Sequence, residues 1–284
     1  MDLSSLDIFC IVADELSVTR AADRLQRAQS NVTTRLRQLE EQLGTALFLR
    51  EGKRMTLTPE GQLFQTYAQR LLALAAEAKA ALQPQNPKGR LRVGTMESTA
   101  ASRLPGLLAR YHKRWPEVAL ELQMAPSASL IEQLLGHQLD CALVADTAVL
   151  GVALDDSLEA RAVFQEELLL LLPAEHPEVD SAGQLQVSSL AALEPGCTYR
   201  RMAQQWLAGK PGMRVLELGS YHAIFACVAA GTSVGVAPRS VLELQRKPPG
   251  LRTQPLAQVD TLLLHRRGYV SAAFEALQGM LLER

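Results

Sequence analysis

Seven residues in one stretch of this chain carry groups suited to reading a nucleic acid. In RAQSNVTTRLRQLEEQLG, residues 27 to 44, Gln29, Ser30, Asn31, Thr33, Thr34, Arg35 and Arg37 supply amides, hydroxyls and guanidinium groups. A side-chain amide fits an adenine edge in two bonds, a guanidinium fits guanine or a phosphate, and a hydroxyl serves any base. At about 100° per residue, Val32, Leu36, Leu39 and Leu43 fall on one side of a helix as a narrow buried stripe. Ser30, Thr34 and Arg37 fall opposite, flanked by Asn31, Thr33 and Gln38. Solvated helices commonly mix Glu with Lys at i,i+4, whereas the sixteen residues from Arg24 to Leu39 hold four arginines and no acid. Taken alone, the helix leaves a plain solvated face equally open.

The neighbouring residues decide what this helix belongs to. Leu3, Leu6, Phe9, Cys10, Ala13 and Leu16 recur at helical spacing, and Ser17 caps a second short helix, VTRAADRL. Two short helices followed by the polar-faced one make a helix-turn-helix. ALFLREGKRMTLT then reads as two strands around a Glu51-Gly52-Lys53 turn, a wing whose Lys53 and Arg54 suit the phosphate backbone. Residues 20 to 54 hold eight basic and four acidic side chains, while the whole chain has a net charge of −1. Any contact with nucleic acid is therefore local.

Thr58-Pro59-Glu60 starts another helix, expected to run to about Gln83, with the apolar seam Leu63, Tyr67, Leu71, Leu74, Ala78 and Ala81. That seam is too long for a small winged domain to bury, so a partner helix from a second chain is its natural cover. PQNPKG marks a hinge. Beyond Arg90 the pattern alternates: LRVG a strand, 101–114 a helix, VALELQM a strand, Ser127 to Leu135 a helix, LDCALVA a strand. A second series follows, from LLLLLP through RMAQQWLA, RVLEL, SYHAIFACVAAG and SVGVAP to TLLLHRR and a helix over 270–283. These are two α/β lobes joined by crossovers around a cleft. The expected organisation is a mostly α winged helix-turn-helix domain (1–58), a long linker helix and hinge (59–88), and an α/β two-lobed domain of the periplasmic-binding-protein type (89–284). Lobe I takes about 89–161 and 266–284, and lobe II about 162–265.

Composition sets the class. A chain of 284 residues and 31.0 kDa is too long for one typical domain, and a hydrophobic fraction of 48% supplies real cores. The longest apolar run, Leu168 to Leu172, is strand-sized, so no membrane span is expected. Cys10, Cys141, Cys197 and Cys227 have no CxxC or ligand-like spacing. No metal or cofactor is expected, and nothing at the N-terminus looks like a signal peptide, so the expected compartment is the cytosol. GTSVG, residues 231 to 235, matches a nucleophile elbow, but that device needs a strand before its serine and a helix after it. Here the order is reversed, so an enzyme is not expected.

Taken in order, Leu6, Phe9, Val12, Ser17, AADRL, QSNVTTRLRQLEEQLG, LF at 47–48, Arg50 and LTPEG at 57–61 resemble the LysR-type transcriptional regulators. GRLRVG, LPGLLARYHKRWPEVALEL, LD and VAAGTSVGVAP resemble the effector-binding part of that family. Two residues depart from the family pattern: Ala28 stands where Ser is usual, and Thr33 where a serine is common, which bears on the cap and base contacts rather than the fold. The resemblance implies a regulator of double-stranded promoter DNA, dimeric and commonly tetrameric, that bends its operator in response to a small molecule. It places the effector between the lobes, at Glu97, Ser98, Thr99, Ser127, Ser129, Thr198, Tyr199 and Arg200. MESTAA, CTYRR and SYHAIFACVAAG are similar to a subgroup that regulates use of putrescine and related amines, which makes the effector an amine or amino acid.

Plainer readings stand beside these. The hydroxyls are equally helix caps, and Glu97 equally a solvent-exposed acid or a partner of Arg103. Cys197 and Cys227 suggest a redox switch like that of peroxide-sensing relatives, with buried structural thiols as the plainer reading. A solute receptor would use the same two-lobed fold but not the DNA-binding segment.

Overall fold

The computed structural model describes residues 1–51, 54–82, 87–246 and 250–283 and, of residues 50, 51 and 54, the backbone only. The chain divides into two compact units, one built on Met1–Gln83 and the other on most of the remainder.

In the first unit α1 (Leu3–Glu15) begins where the Asp2 carboxylate accepts the Ser5 N–H at 2.9 Å. Ser17 caps α2 (Val18–Leu25) by accepting the Arg20 N–H at 3.3 Å, and α3 spans Gln29–Leu43. The chain leaves α3 through Gly44 at φ 68°, a left-handed turn that glycine adopts without strain. Phe9, Val12, Ala21, Val32, Leu36 and Leu39 form the core. Leu43 does not join them. It is 37% exposed, because the last residue of α3 lies past the edge of α1 and α2, so the buried stripe has three members and not four.

A hairpin of β1 (Phe48–Glu51) and β2 (Arg54–Leu57) follows, with Phe48 opposite Leu57. The Glu40 carboxylate of α3 accepts the N–H groups of Leu47 (2.8 Å) and Phe48 (3.2 Å), fastening the hairpin to the helix. Thr58 caps α4 (Pro59–Ala81) by accepting the Gly61 N–H at 2.8 Å, with Pro59 at the first turn. Helix α4 packs so closely here that a Cβ on Gly61 would lie 2.1 Å from the Leu47 carbonyl oxygen. The LTPEG glycine is thus a packing requirement.

The second unit is one eight-stranded sheet in the order β4-β3-β5-β10-β6-β9-β7-β8. Its first half has β3 (Gly89–Thr95) between the parallel strands β4 (Val118–Met124) and β5 (Cys141–Ala145), linked by α5 (Glu97–Ser102), α6 (Leu104–Arg114) and α7 (Ser127–Leu135). The single helix expected over 101–114 is broken at Arg103. Pro105 sits in the first turn of α6, and its ring cannot follow a continuous helix. The strands β6 (Leu158–Pro173) and β7 (Ser189–Ala192), helix α8 (Thr198–Trp206), β8 (Arg214–Glu217), α9 (Tyr221–Ala229), β9 (Val234–Pro238), α10 (Arg239–Leu242), β10 (Leu251–Arg266) and α11 (Ala272–Leu282) complete it.

The lobes share two strands. β6 and β10 are each 16 residues long and pair antiparallel from Leu158↔Arg266 to Pro173↔Leu251. Val163 and Leu263 pack in lobe I with Leu91, Tyr111 and Phe274, whereas Leu168, Leu170 and Val259 pack in lobe II with Leu190, Tyr199 and Val234. The register shift between Thr261 and Leu262 falls at this change of side, where a bulge bends the ribbon. Leu262 and Leu264 also pack with Leu130 and Leu134 of lobe I. Residues 262–265 therefore pack with lobe I and not, as the sequence suggests, with lobe II, because β10 crosses before its TLLLHRR run ends.

Candidate functional site

The exposed side of α3 carries Gln29, Ser30, Asn31, Thr34, Arg35 and Arg37. Thr33 is half-buried, and its hydroxyl donates to the Gln29 carbonyl at 2.9 Å, a back-bond that occupies its donor. No side chain caps the helix at Ala28, so its first-turn N–H groups have no side-chain acceptor there. The arginines do find acids, supplied from elsewhere: Arg37 pairs with Glu41 at 2.9 Å, Arg35 with Asp2 at 3.4 Å, and Arg24 with Glu15 at 3.3 Å. These partners lie outside the acid-free run. All these pairs are open to solvent and worth about 0–1 kcal/mol, so phosphates compete with them readily. Lys53 lies outside the described residues, and of Arg54 only the backbone, at the start of β2, is described.

Along α4, Leu63, Tyr67, Leu71 and Leu74 are 62%, 54%, 40% and 49% exposed. An apolar seam this open on one helix is an unusual surface, since large side chains contribute most when desolvated.

The cleft of the second unit is a cavity of about 540 Å³. Glu97, Ser98, Ser127 and Tyr199 line it, as the sequence leads one to expect, joined by Glu194, Cys197, Glu217 and Tyr221. Thr99, Ser129, Thr198 and Arg200 do not. Thr99 and Thr198 are buried behind it. Ser129 accepts the Gln133 amide at 3.1 Å, and Arg200 is held by the Leu193 carbonyl (2.7 Å) and Glu217 (2.8 Å). Tyr221, the first residue of α9 after the capping Ser220, was not among the residues expected from the sequence.

Burial of Glu97 pushes its carboxyl above the usual carboxylate range, while the Tyr221 N–H and the His222 ring pull it back. Arg103 is not its partner. That guanidinium bonds Glu166 at 2.7 Å, and Ser240 donates to the other Glu166 oxygen at 2.7 Å. Among the described residues the lining thus holds three carboxylates and no lysine or arginine.

Residues 3–62 match the family model described as bacterial regulatory helix-turn-helix protein, lysR family, and residues 84–284 match the LysR substrate binding domain. The chain belongs to the LysR family of transcriptional regulators. This LysR-type chain is 34% identical over 274 residues to the HTH-type transcriptional regulator GltR of Bacillus subtilis, covering 94% of this chain and 91% of that one. In fold it is similar to a full-length OxyR variant from Pseudomonas aeruginosa, with a TM-score of 0.74, 24% identity and coverage of 99% and 94%. It also matches CbnR in complex with its target DNA, with a TM-score of 0.68, 20% identity and 99% of each chain covered. It is thus a DNA-binding, effector-responsive regulator.

Within this LysR-type regulator the other sequence motifs can be placed. Ser233 of GTSVG is buried ahead of β9 and behind α9, the reverse of a nucleophile elbow. All four cysteines are free thiols. Cys197 packs with Leu168, Leu170 and Leu172, whereas Cys227 packs with Leu169 and Leu171. Alternate residues of one strand point to opposite faces, so these thiols lie on opposite sides of the sheet. Burial also pushes the Cys197 thiol up, away from the reactive thiolate. No helix among the described residues is long and apolar enough to cross a membrane.

Proposed function

We propose that the exposed face of α3, through Gln29, Ser30, Asn31, Thr34 and Arg37, reads base edges in the major groove of promoter DNA, with Arg35 on base or phosphate. Thr33 holds the first turn in shape, and Lys53 and Arg54 serve the phosphate backbone. The α4 seam packs against the same seam of a second chain, and two such dimers assemble into a tetramer. The protein acts in the cytosol, without cofactor and without catalysis.

The effector carries an ammonium group, as an amine or amino acid does, and is taken between the lobes. One observation carries this reading: Glu97, Glu194 and Glu217 line the cleft and, among the described residues, no lysine or arginine does. Arg200 already neutralises Glu217, which leaves Glu97 as the half-buried acid with most to gain from an ammonium. The names of the relatives above do not speak to an amine, so the support is the charge of the lining. Calorimetric titration of the full chain with diamines, amino acids and dicarboxylates tests it. Amines should bind, Glu97→Gln should weaken them, and affinity should fall as pH is lowered through the raised Glu97 pKa, because protonation removes the charge the ammonium needs. A dicarboxylate that binds wild type and Glu97→Gln alike, with no response to any amine, would refute the reading.

A further inference from the structure

The cleft is lined by hydroxyl-bearing residues as well as by carboxylates. Ser98 of lobe I and Tyr199 and Tyr221 of lobe II bring three hydroxyl groups to it. Tyr199 is 2% exposed and its ring packs among Leu168, Leu190 and Val234. Its hydroxyl is sealed from solvent and makes no hydrogen bond of normal geometry, although Ser98 and Thr261 lie beside it. The Thr261 hydroxyl, at the bulge where the lobes change over, is equally buried and equally unpaired.

A sealed hydroxyl without a partner is a net cost to folding. Phenylalanine would fill the same volume without that cost. Carboxylate Glu166 already accepts from Arg103 and Ser240, one bond at each oxygen. Tyr199 also lines the cleft, so a bound ligand can supply the missing partner.

Resting on the cleft as the site of an ammonium-bearing effector, we propose that the Tyr199 hydroxyl selects effectors with two polar ends. It bonds a second hydrogen-bonding group, while Glu97 holds the ammonium. A site built to bond a polar group rejects an analogue lacking it far more strongly than an apolar pocket rejects an extra methylene. The ligand class is therefore a bifunctional amine, and a monoamine of the same length is discriminated against. The phenol, protonated, offers both a donor and an acceptor, so either a carboxylate or a second ammonium satisfies it.

The test uses the full chain as wild type, Tyr199→Phe and Glu97→Gln, with diaminobutane, aminobutanoate and butylamine as probes. Without ligand, Tyr199→Phe should unfold at the wild-type temperature or above it. In titration calorimetry, wild type should prefer at least one bifunctional probe over butylamine by roughly 10- to 100-fold. Tyr199→Phe should erase that preference and spare butylamine, whereas Glu97→Gln should weaken all three. Which bifunctional probe wins separates an amino acid from a diamine. Unfolding of Tyr199→Phe at lower temperature would show the hydroxyl to be consumed inside the protein and overturn the proposal. Equal binding of the three probes by wild type, or a preference that survives Tyr199→Phe, would overturn it while leaving the ammonium-binding cleft standing. No binding of any amine would overturn both.

Discussion

Replacing Gly61 by alanine should do harm out of proportion to one methyl group. In an exposed helix that change stabilises by about 0.5–1 kcal/mol, because glycine loses more backbone freedom on folding. At Gly61 the new Cβ would stand 2.1 Å from the Leu47 carbonyl oxygen, and that is backbone, not a side-chain tip that can swing away. Helix α4 and the hairpin would have to separate by roughly 1 Å before the contact is tolerable. The same carbonyl accepts the Thr58 N–H at 3.0 Å, so the shift strains the cap of α4 as well. Overpacking of about 1–3 kcal/mol and a compromised bond of about 1 kcal/mol, less the helix-propensity gain, leave a net loss of about 2 kcal/mol. For a unit of this size that lowers the melting point by roughly 8–16 °C. Differential scanning calorimetry reads it, with Gly279→Ala as the contrast. Gly279 is helical with nothing within 4 Å of an added Cβ, so that change should stabilise slightly. A Gly61→Ala chain that melts at or above wild type would show that the approach of α4 to Leu47 is not as close as described, and the account of the hairpin's anchoring would fail with it.

Asn31→Ala and Thr34→Ala should each relax discrimination at one base pair by about 1–3 kcal/mol, measured as the ratio of specific to random duplex affinity. Equal losses on both duplexes would remove these residues from base contact. Leu71→Asp and Leu74→Asp place a charge where a second α4 should pack, so light scattering should report a smaller assembly. Unchanged mass would put the chain's own interface elsewhere.

The DNA-binding half was legible almost residue by residue because its signals are local. Ser17 and Thr58 are capping hydroxyls, Pro59 opens a helix, Gly44 closes one, and the three-and-four spacing of Val32, Leu36 and Leu39 sets a face. What failed there was an edge effect: Leu43 has the right angle and the wrong height. The second unit was harder for a physical reason. In the antiparallel ribbon the first half of each long strand pairs with the apolar second half of the other, so LEARAVFQEE and LRTQPLAQVD show no clean alternation and only the apolar ends of the strands announced themselves. Strand β7, SLAA, carries too little side chain to read as a strand at all, yet it sits buried between β9 and β8. Of the cleft, spacing located the strand ends, but whether a hydroxyl faces in or back depends on one residue of helix rotation. That separates Ser98 from Thr99 and defeats prediction at Ser129.

The shared ribbon also orders events in time. Every core residue of the first unit, from Leu6 to Ala68, has left the ribosome long before any lobe is finished. Lobe I opens with Leu91 and closes with Leu263, Phe274, Leu277 and Leu281, so it encloses the synthesis of lobe II within its own. Its strand β5 waits for β10 as an unpaired edge while more than a hundred residues are added. A nascent chain can therefore hold a finished DNA reader while its sensor has no core. Helix α11, made after all of lobe II, is what completes the core of lobe I.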